Sequence, residues 1–252
     1  MKVVIVGAGN VATILGRLIK NKGHDILQIV SRAATNAEIL AKELNCAFTD
    51  NIGVIDKSAD LYLVALTDTA MSQLDERYHL GDKLVIHTAG SVSKEVLKNI
   101  TNNYGVLYPL QSLRKQNMEL QQDIPLLIDA NTDEAFNLLQ DFAGSISANV
   151  TKANDEQRLK LHVAAVLVSN FTNHLYALAA DYCSKEGADF KLLLPLIEET
   201  ALRLRHYPPN EMRTGPAIRK DIQTLQKHLH LLAPYPAIHN MYLKITDSIM
   251  NS

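Results

Sequence analysis

The chain has 252 residues, and its 25 Lys and Arg nearly balance its 27 Asp and Glu, which gives a formal net charge of −2. This balance argues against a partner such as nucleic acid or an anionic membrane, because binding either one needs a basic face. Two cysteines, Cys46 and Cys183, are too few for a disulfide framework or a four-ligand zinc site. The N-terminus resembles neither a signal peptide nor an anchor, and no run reaches about 18 apolar residues. The sequence therefore predicts a soluble, cytoplasmic protein.

The first 150 residues have the pattern of an α/β domain. Short β-branched runs alternate with stretches of helical spacing, and runs such as VVIV and LYLVAL suit a parallel sheet covered on both faces. The fold expected for 1–150 is a Rossmann-type, doubly wound parallel sheet. The predicted strands are 2–6, 26–30, 61–66, 84–87, 105–108, 125–129 and 145–150. The predicted helices are 11–20, 36–44, 69–78 and 94–100.

From residue 151 to residue 252 the sequence predicts an all-α domain. Residues 154–184 contain neither Gly nor Pro, and they predict one long helix that Gly187 ends. Further helices are predicted at 190–205, 217–232 and 237–250. Pro216 suits the first turn of the helix at 217–232, since proline is well tolerated there.

The first predicted strand runs directly into a glycine turn, GAGNVA, at residues 7–12. A dinucleotide site needs Gly7 for the tight turn and Gly9 for close approach of the pyrophosphate. Asn10 and Val11 open a helix whose N-terminal N–H groups can bind phosphate, and Ala12 is small enough for that helix to pack on the strand. The turn therefore predicts pyrophosphate binding, and a purely structural glycine turn is the alternative.

The end of the second predicted strand indicates which dinucleotide binds. NAD and FAD sites usually carry an acidic residue there for the ribose hydroxyls. Here the strand ends in Ser31 and Arg32, and no acid follows before Glu38. A hydroxyl and a guanidinium suit a 2′-phosphate, which predicts NADP(H) and weakens an S-adenosylmethionine methyltransferase. The alternative is that Arg32 is a solvated loop residue.

Two later strands also end in polar residues. Ligands of open α/β sheets bind outside the carboxyl ends of the strands, so these loops are expected to line the ribose and nicotinamide. Ser91 is either a catalytic contact or the N-cap of the next helix. The candidate cofactor residues of these loops are Leu66, Thr67, Asp68, Thr88, Ala89 and Gly90.

The long predicted helix carries a polar stripe on an otherwise apolar surface. At 100° per residue, His162, Ser169 and Asn173 fall within about 40° of one another, and Asn170 lies about 80° away. Such a stripe must either find hydrogen-bond partners in a core or face a wet cleft. In the second case His162 could donate a proton as hydride arrives, while Asn170 and Asn173 orient the substrate.

A second candidate site is the segment RTGPAIRKD at 213–221. Arg213 and Thr214 precede a predicted helix start, where N–H groups could hold an anionic group of the substrate. A well-capped helix with surface ion pairs is the alternative. The C-terminal histidines lack the spacing of metal ligands, so the sequence predicts no metal site.

Several of these segments resemble known families. VVIVGAGNVA, TDTAM and VIHTAGS, with the helical C-terminal domain, resemble the superfamily of 6-phosphogluconate dehydrogenase, 3-hydroxyisobutyrate dehydrogenase and pyrroline-5-carboxylate reductase. HTAGS, GVLYPLQSL, HVAAVLVSNFTNHL and RTGPAIRKD more closely resemble an uncharacterised bacterial family. That family joins a Rossmann-like domain to a helical domain of unknown function, and is often labelled a deazaflavin-dependent NADP oxidoreductase. The resemblance implies the fold, an NADP-type site and dimerisation through the long helix.

One departure from the superfamily concerns its catalytic residues. Its hydroxyacid dehydrogenases carry a catalytic Lys followed by Asn one helical turn later, whereas here Lys160 is followed by Ala164.

The favoured hypothesis is an NADP(H)-dependent oxidoreductase acting on a small polar metabolite in the interdomain cleft. The alternative is a catalytically inactive nucleotide-sensing or scaffolding protein. Nucleic-acid and membrane partners are not expected, and a homodimer is.

Overall fold

The structure is a computed structural model, which describes residues 1–71, 74, 79–116 and 123–252. The chain divides into two compact units, Met1–Leu167 and Val168–Ser252. The first unit contains an eight-stranded sheet with its flanking helices, and the second is helical. The predicted fold class, a Rossmann-type sheet domain followed by an all-α domain, is confirmed.

The sheet has the strand order β3-β2-β1-β4-β5-β6-β7-β8. Strands β1 to β6 pair in parallel, β7 runs antiparallel to β6, and β8 is parallel to β7. The order of the first six is that of a dinucleotide-binding sheet, whose direction of winding reverses between β1 and β4. The strands are β1 Lys2–Val6, β2 Asp25–Val30, β3 Ala47–Thr49, β4 Leu61–Val64, β5 Leu84–His87, β6 Asn103–Pro109, β7 Leu126–Ala130 and β8 Val150–Lys152.

Apolar side chains from both faces of the sheet form the core of the first unit. Ile5 and Leu63 belong to the cluster on one face, and Val4 and Tyr62 to the cluster on the other. All four residues of β4 are buried, as are all four of β5. The continuous apolar runs therefore correctly predicted strands covered on both faces.

The sequence missed two elements of the first unit. Strand β3 is short and its residues are mostly exposed, so it lacks the apolar run that marks the other strands. The strand predicted at 145–150 is wrong, because Asp133–Ile146 forms a helix and the strand begins at Val150. The side-chain hydroxyl oxygen of Thr132 accepts a hydrogen bond from the backbone N–H of Ala135 and caps this helix. A threonine at this position is a helix-start signal that is visible in the sequence.

The helices of the first unit pack on the two faces of the sheet. The helix predicted at 94–100 is a 3₁₀ turn, Lys94–Leu97, and the helix predicted at 69–78 lies partly outside the described residues. Asn154 and Gln157 form a capping box at the start of α5, which fixes where the long helix begins. The α-helices are α1 Asn10–Asn21, α2 Ala34–Leu44, α3 Asp68–Met71, α4 Asp133–Ile146 and α5 Asp155–Ala165.

The second unit consists of α-helices joined by short 3₁₀ turns. The helix predicted at 217–232 begins later, at Ile222, because the carboxylate of Asp221 accepts the N–H of Thr224 and caps it there. Pro216 therefore precedes the helix instead of occupying its first turn. The helices are α6 Thr172–Lys185, α7 Leu194–Leu202, α8 Ile222–Leu232 and α9 Pro236–Met250.

The long helix Asp155–Lys185 contains a π-helical segment, Val166–Phe171, between α5 and α6. By length and composition alone it could cross a membrane: its best window has a mean hydropathy of 1.3, and none of that window is buried. The length of uninterrupted apolar runs in the sequence does not reveal this property, because isolated polar residues interrupt every run. The same composition suits a helix that another protein chain covers.

Candidate functional site

A cavity of about 520 Å³ opens where β1 and β4 end, at the point where the sheet reverses its direction of winding. This volume is within the usual range for a small-molecule or cofactor site, and the place is where open α/β sheets bind ligands. Residues from the ends of β1, β2, β3 and β4 line it: Val6, Gly7, Ala8, Gly9, Val30, Ser31, Arg32, Ala33, Asp50, Ile52, Ala65, Leu66, Thr67, Ala70 and Leu74.

The glycine turn has the geometry that pyrophosphate binding needs. Gly7 has a φ of +119°, and a Cβ there would lie 2.2 Å from the carbonyl oxygen of Ala65. A Cβ on Gly9 would have nothing within 4 Å, so the missing side chain leaves the turn open to a ligand. No side chain caps α1 at Gly9, while Ala12 is fully buried and lets the helix pack on the sheet. These residues fit a dinucleotide, and Asn10 and Val11 supply the first N–H groups of α1.

Opposite charges line the same cavity. Ser31 and Arg32 lie there, as predicted, and the guanidinium of Arg32 makes no hydrogen bond or ion pair with the described part of the chain. Asp50, which follows β3, also lines the cavity. The sequence interpretation missed Asp50 because it missed β3, although a polar residue after a strand was the signal to follow.

A hydrogen bond joins the loop after β5 to the start of α3, which follows β4. The hydroxyl of Ser91 donates to the carboxylate of Asp68, and Thr67 lines the cavity. Ser93, not Ser91, caps the turn that follows, since its hydroxyl oxygen accepts the N–H of Glu95. Ser91 is therefore free of the capping role that was the alternative for it. Thr88, Ala89 and Gly90 lie at the carboxyl end of β5 but do not line the cavity.

A buried cation holds the loop after β5 in place. Arg158 on α5 is only 1% exposed, and its guanidinium donates to the carbonyl oxygens of Gly90 and Val92 and to the carboxylate of Asp155. Nδ1 of the fully buried His87 accepts the N–H of Ala89. Burial, with the nearby charge of Arg158, lowers the pKa of His87 to about 4, so its ring is neutral at pH 7.

His162 lies against this loop, together with a tyrosine that the sequence did not single out. The hydroxyl of Tyr108 and Nδ1 of His162 are 2.9 Å apart, in hydrogen-bond distance. A Cβ on Gly90 would lie 2.7 Å from Nδ1 of His162 and 2.9 Å from Cε2 of Tyr108, so both rings lie beside the glycine and leave no room for a side chain there. Tyr108 is near the carboxyl end of β6, beside β5, and that position was the signal for it.

The other predicted substrate residues belong to the second unit. Asn170 lies in the π-helical segment and Asn173 in α6. The angle of 100° per residue, which holds for an uninterrupted α-helix, therefore does not describe their angular separation from His162. Arg213 donates to the hydroxyl of Ser252 and to Asn210, and Thr214 lines an apolar cavity of about 260 Å³. The helix N-terminus expected beside them is absent, and their substrate roles stay predictions.

Comparison with known families identifies the chain. Residues 124–249, half of the chain, match a family described as a domain of unknown function, DUF2520. The chain belongs to this DUF2520 family. Residues 2–91 match the family described as NADP oxidoreductase, coenzyme F420-dependent. The predicted resemblance to an uncharacterised Rossmann-like family with a helical C-terminal domain is thereby confirmed.

Solved structures agree with this assignment. A Bacteroides fragilis protein named as a candidate NADP oxidoreductase is 38% identical, with a TM-score of 0.93 over 100% of this chain and 98% of its own. An imine reductase from Myxococcus stipitatus in complex with NADP⁺ is 15% identical, with a TM-score of 0.65 over 100% and 92%. A 1-pyrroline-5-carboxylate reductase from Streptococcus pyogenes is 14% identical, with a TM-score of 0.68 over 100% and 99%.

The two structures below 25% identity share the fold with this DUF2520 protein. Among curated proteins, none matches the chain. The family matches support an oxidoreductase in the broad sense, and they confirm the predicted cofactor, NADP(H).

Proposed function

We propose that this DUF2520 protein transfers hydride between NADP(H) and a carbon–nitrogen or carbon–oxygen double bond of a small polar metabolite, with His162 as the proton donor. The observation that carries the proposal is the position of His162 beside Gly90, at the carboxyl end of β5. In open sheets of this kind, ligands bind in the crevice outside the carboxyl ends of the strands.

The chemistry divides between the cofactor and the chain. NADPH, when bound, would supply the hydride that reduces the substrate carbon. One proton must reach the substrate nitrogen or oxygen, and an imidazole is suited to supply it near neutral pH. Ser91, held by Asp68 at the start of α3, is a further hydrogen-bond donor or acceptor for the substrate. Arg158 keeps the backbone of the loop after β5 fixed while these groups act.

The choice of substrate class is supported by what the neighbours are named for. Imine reductases and pyrroline-5-carboxylate reductases share this fold, and both names specify a carbon–nitrogen double bond. In the proposal Asn170 and Asn173 orient the substrate, and Arg213 and Thr214 bind its anionic group. That the substrate lies in an interdomain cleft stays a prediction from the sequence.

The test is turnover of a substrate panel, followed by the absorbance of NADPH. The panel contains cyclic imines, 2-oxoacids, aldehydes and oxidised coenzyme F420, which the N-terminal family description names. His162→Gln is expected to remove at least a hundredfold of the rate, as the loss of a positioned acid does. His24→Gln is the matched control, because His24 directly precedes β2 and so lies at the amino ends of the parallel strands, opposite the carboxyl ends where the cavity opens.

The possible outcomes separate the two hypotheses. Stabilisation by NADPH without turnover of any panel member would contradict the proposal and favour the nucleotide-sensing alternative. Turnover that survives in His162→Gln would keep the oxidoreductase but remove His162 from its mechanism.

We also propose that the protein is a cytoplasmic homodimer, with the long helix covered by a second copy. Val168 and Phe171 on this helix are 74% and 57% exposed, which is unusual for large apolar side chains in mid-helix. Asn170 and Asn173 lie in the same stretch, and polar side chains there are costly in a bilayer but readily satisfied in a protein interface.

A further inference from the structure

Tyr108, which pairs with His162, adds a hydrogen-bonding hydroxyl group to the site. The hydroxyl of Tyr108 lies 2.9 Å from Nδ1 of His162, and the rings meet edge to face with their centroids 5.8 Å apart. Both side chains are partly buried, and both lie beside Gly90. Nδ1 is thus occupied by an interaction within the protein, which leaves Nε2 as the ring nitrogen available to a substrate.

A tyrosine hydroxyl can serve this nitrogen in both protonation states of the ring. It can donate to Nδ1 when the imidazole is neutral there, and its oxygen can accept when Nδ1 carries a proton. Burial, partly offset by the charge of Arg158, raises the pKa of Tyr108, so the phenol keeps its own proton throughout the neutral range. The contact therefore persists while His162 gains and loses a proton.

We propose that Tyr108 is a positioning residue, whose hydroxyl holds Nδ1 of His162 so that Nε2 is the atom that gives the proton to the substrate. This inference rests on the proposed role of His162. In the reductive direction the Nε2–H bond breaks and a bond from that proton to the substrate nitrogen or oxygen forms. The substrate carbon receives the hydride of NADPH, and the ring is left neutral with its remaining proton on Nδ1, facing Tyr108.

The geometry also explains why residue 90 is a glycine. A methyl group there would lie within 3.0 Å of Nδ1 and Cγ of His162 and of Cε2 of Tyr108. Such distances require one of the two rings to move, and the polar contact between them would change. A glycine at position 90 therefore leaves room for both rings, and it would also let the backbone approach the cofactor closely.

The experiment compares Tyr108→Phe with Tyr104→Phe. Both residues lie on β6, and each replacement removes one hydroxyl with its hydrogen bond, which Tyr104 makes to Glu95. We expect Tyr108→Phe to lower kcat about 10-fold to 100-fold, a part of the roughly 10²–10⁴-fold that a positioned acid supplies. KM and Kd for NADPH are expected to stay unchanged in both variants, and kcat to stay unchanged in Tyr104→Phe.

A second measurement does not need turnover. In protein labelled with ¹⁵N-histidine, Tyr108→Phe is expected to move the Nδ1 resonance of His162, identified by its loss in His162→Gln, while Tyr104→Phe leaves it in place. An unchanged Nδ1 resonance, or an unchanged kcat in an enzyme that depends on His162, overturns the inference and leaves the proposed function standing. A moved resonance in a protein without NADPH turnover supports the contact and refutes the proposed function instead.

Discussion

The first unit, Met1–Leu167, buries its apolar side chains far more completely than the second unit, Val168–Ser252, does. In the first, whole strands such as β4 and β5 are buried and two apolar clusters cover the faces of the sheet. In the second, all of whose residues are described, the buried apolar side chains are Cys183, Ala217, Leu225 and Leu232. Leu192 there is 78% exposed.

The difference in burial implies that the two units are stabilised in different ways. A sheet covered on both faces excludes water with its own chain, and hydrophobic burial then stabilises it without a partner. A helical unit with so many exposed large apolar residues gains comparable stabilisation only when another surface covers them. We therefore expect the first unit to respond to changes inside it, and the second to respond to protein concentration.

The largest effect is expected from Gly7→Ala in the first unit. The new Cβ would meet the carbonyl oxygen of Ala65 at 2.2 Å, on a backbone with a φ that alanine rarely adopts. Strain and overpacking together predict a loss of about 3–5 kcal/mol in the free energy of unfolding, measured in urea. Gly9→Ala is the control, because its Cβ meets nothing within 4 Å. Equal stabilities of the two variants would contradict the role assigned to the turn.

The next effect tests the second unit through Phe171→Lys. If a second copy covers this side chain, the dimer dissociation constant should rise roughly 100-fold, since burying a Phe contributes about 1.5–3 kcal/mol. Sedimentation equilibrium measures it. Ile39→Lys in the first unit is the control, because Ile39 is 61% exposed on α2 against 57% for Phe171. If the wild-type chain sediments as a monomer, the expectation that the second unit is stabilised by a second copy is contradicted.

A comparable effect, dependent on pH, is expected from His87. Its pKa is about 4 in the folded protein and near 6.5 in the unfolded chain, so the unfolded chain binds more protons between these values. Folding stability is therefore full above pH 6.5 and falls as the pH drops toward 4, by about 3 kcal/mol in total. His87→Asn keeps an acceptor for the N–H of Ala89 and should remove most of this loss, as urea unfolding at several pH values would show.

The matched variant for that measurement is His24→Asn. Burial also lowers the pKa of His24, but that side chain is only partly buried, so its share of the acid loss should be smaller. An acid dependence that is the same in His87→Asn as in the wild type would mean that other groups govern it.

The smallest effect concerns the cofactor of the first unit. NADPH should raise the melting temperature more than NADH does, and Arg32→Ala should remove that difference. The variant is expected to bind NADPH about 10-fold to 100-fold more weakly, because it loses hydrogen bonds to a charged phosphate group. Lys42→Ala on α2 is the control, since it removes a positive charge that pairs with Glu38 outside the cavity. A difference that persists in Arg32→Ala would assign the 2′-phosphate to another residue.

Local patterns were sufficient for much of the fold. Buried parallel strands read as continuous apolar runs, so β1, β4 and β5 were predicted nearly to the residue. The glycine turn was predicted as well, because its chemistry lies within six consecutive positions. Strand β3 was missed since it is short and exposed at the sheet edge, and its register is set by pairing with β2 instead of by its own side chains.

The sequence by itself determined the fold class, the nucleotide turn and the helical character of the C-terminal part, because each depends on neighbours within a few residues. Only the tertiary structure placed Asp50 in the cavity with Arg32, buried Arg158 under the loop after β5, and brought Tyr108 to His162. Tyr108 and His162 are separated by 54 positions in the chain. Sheet order and helix packing decide such contacts, and neither is written in the local spacing of residues.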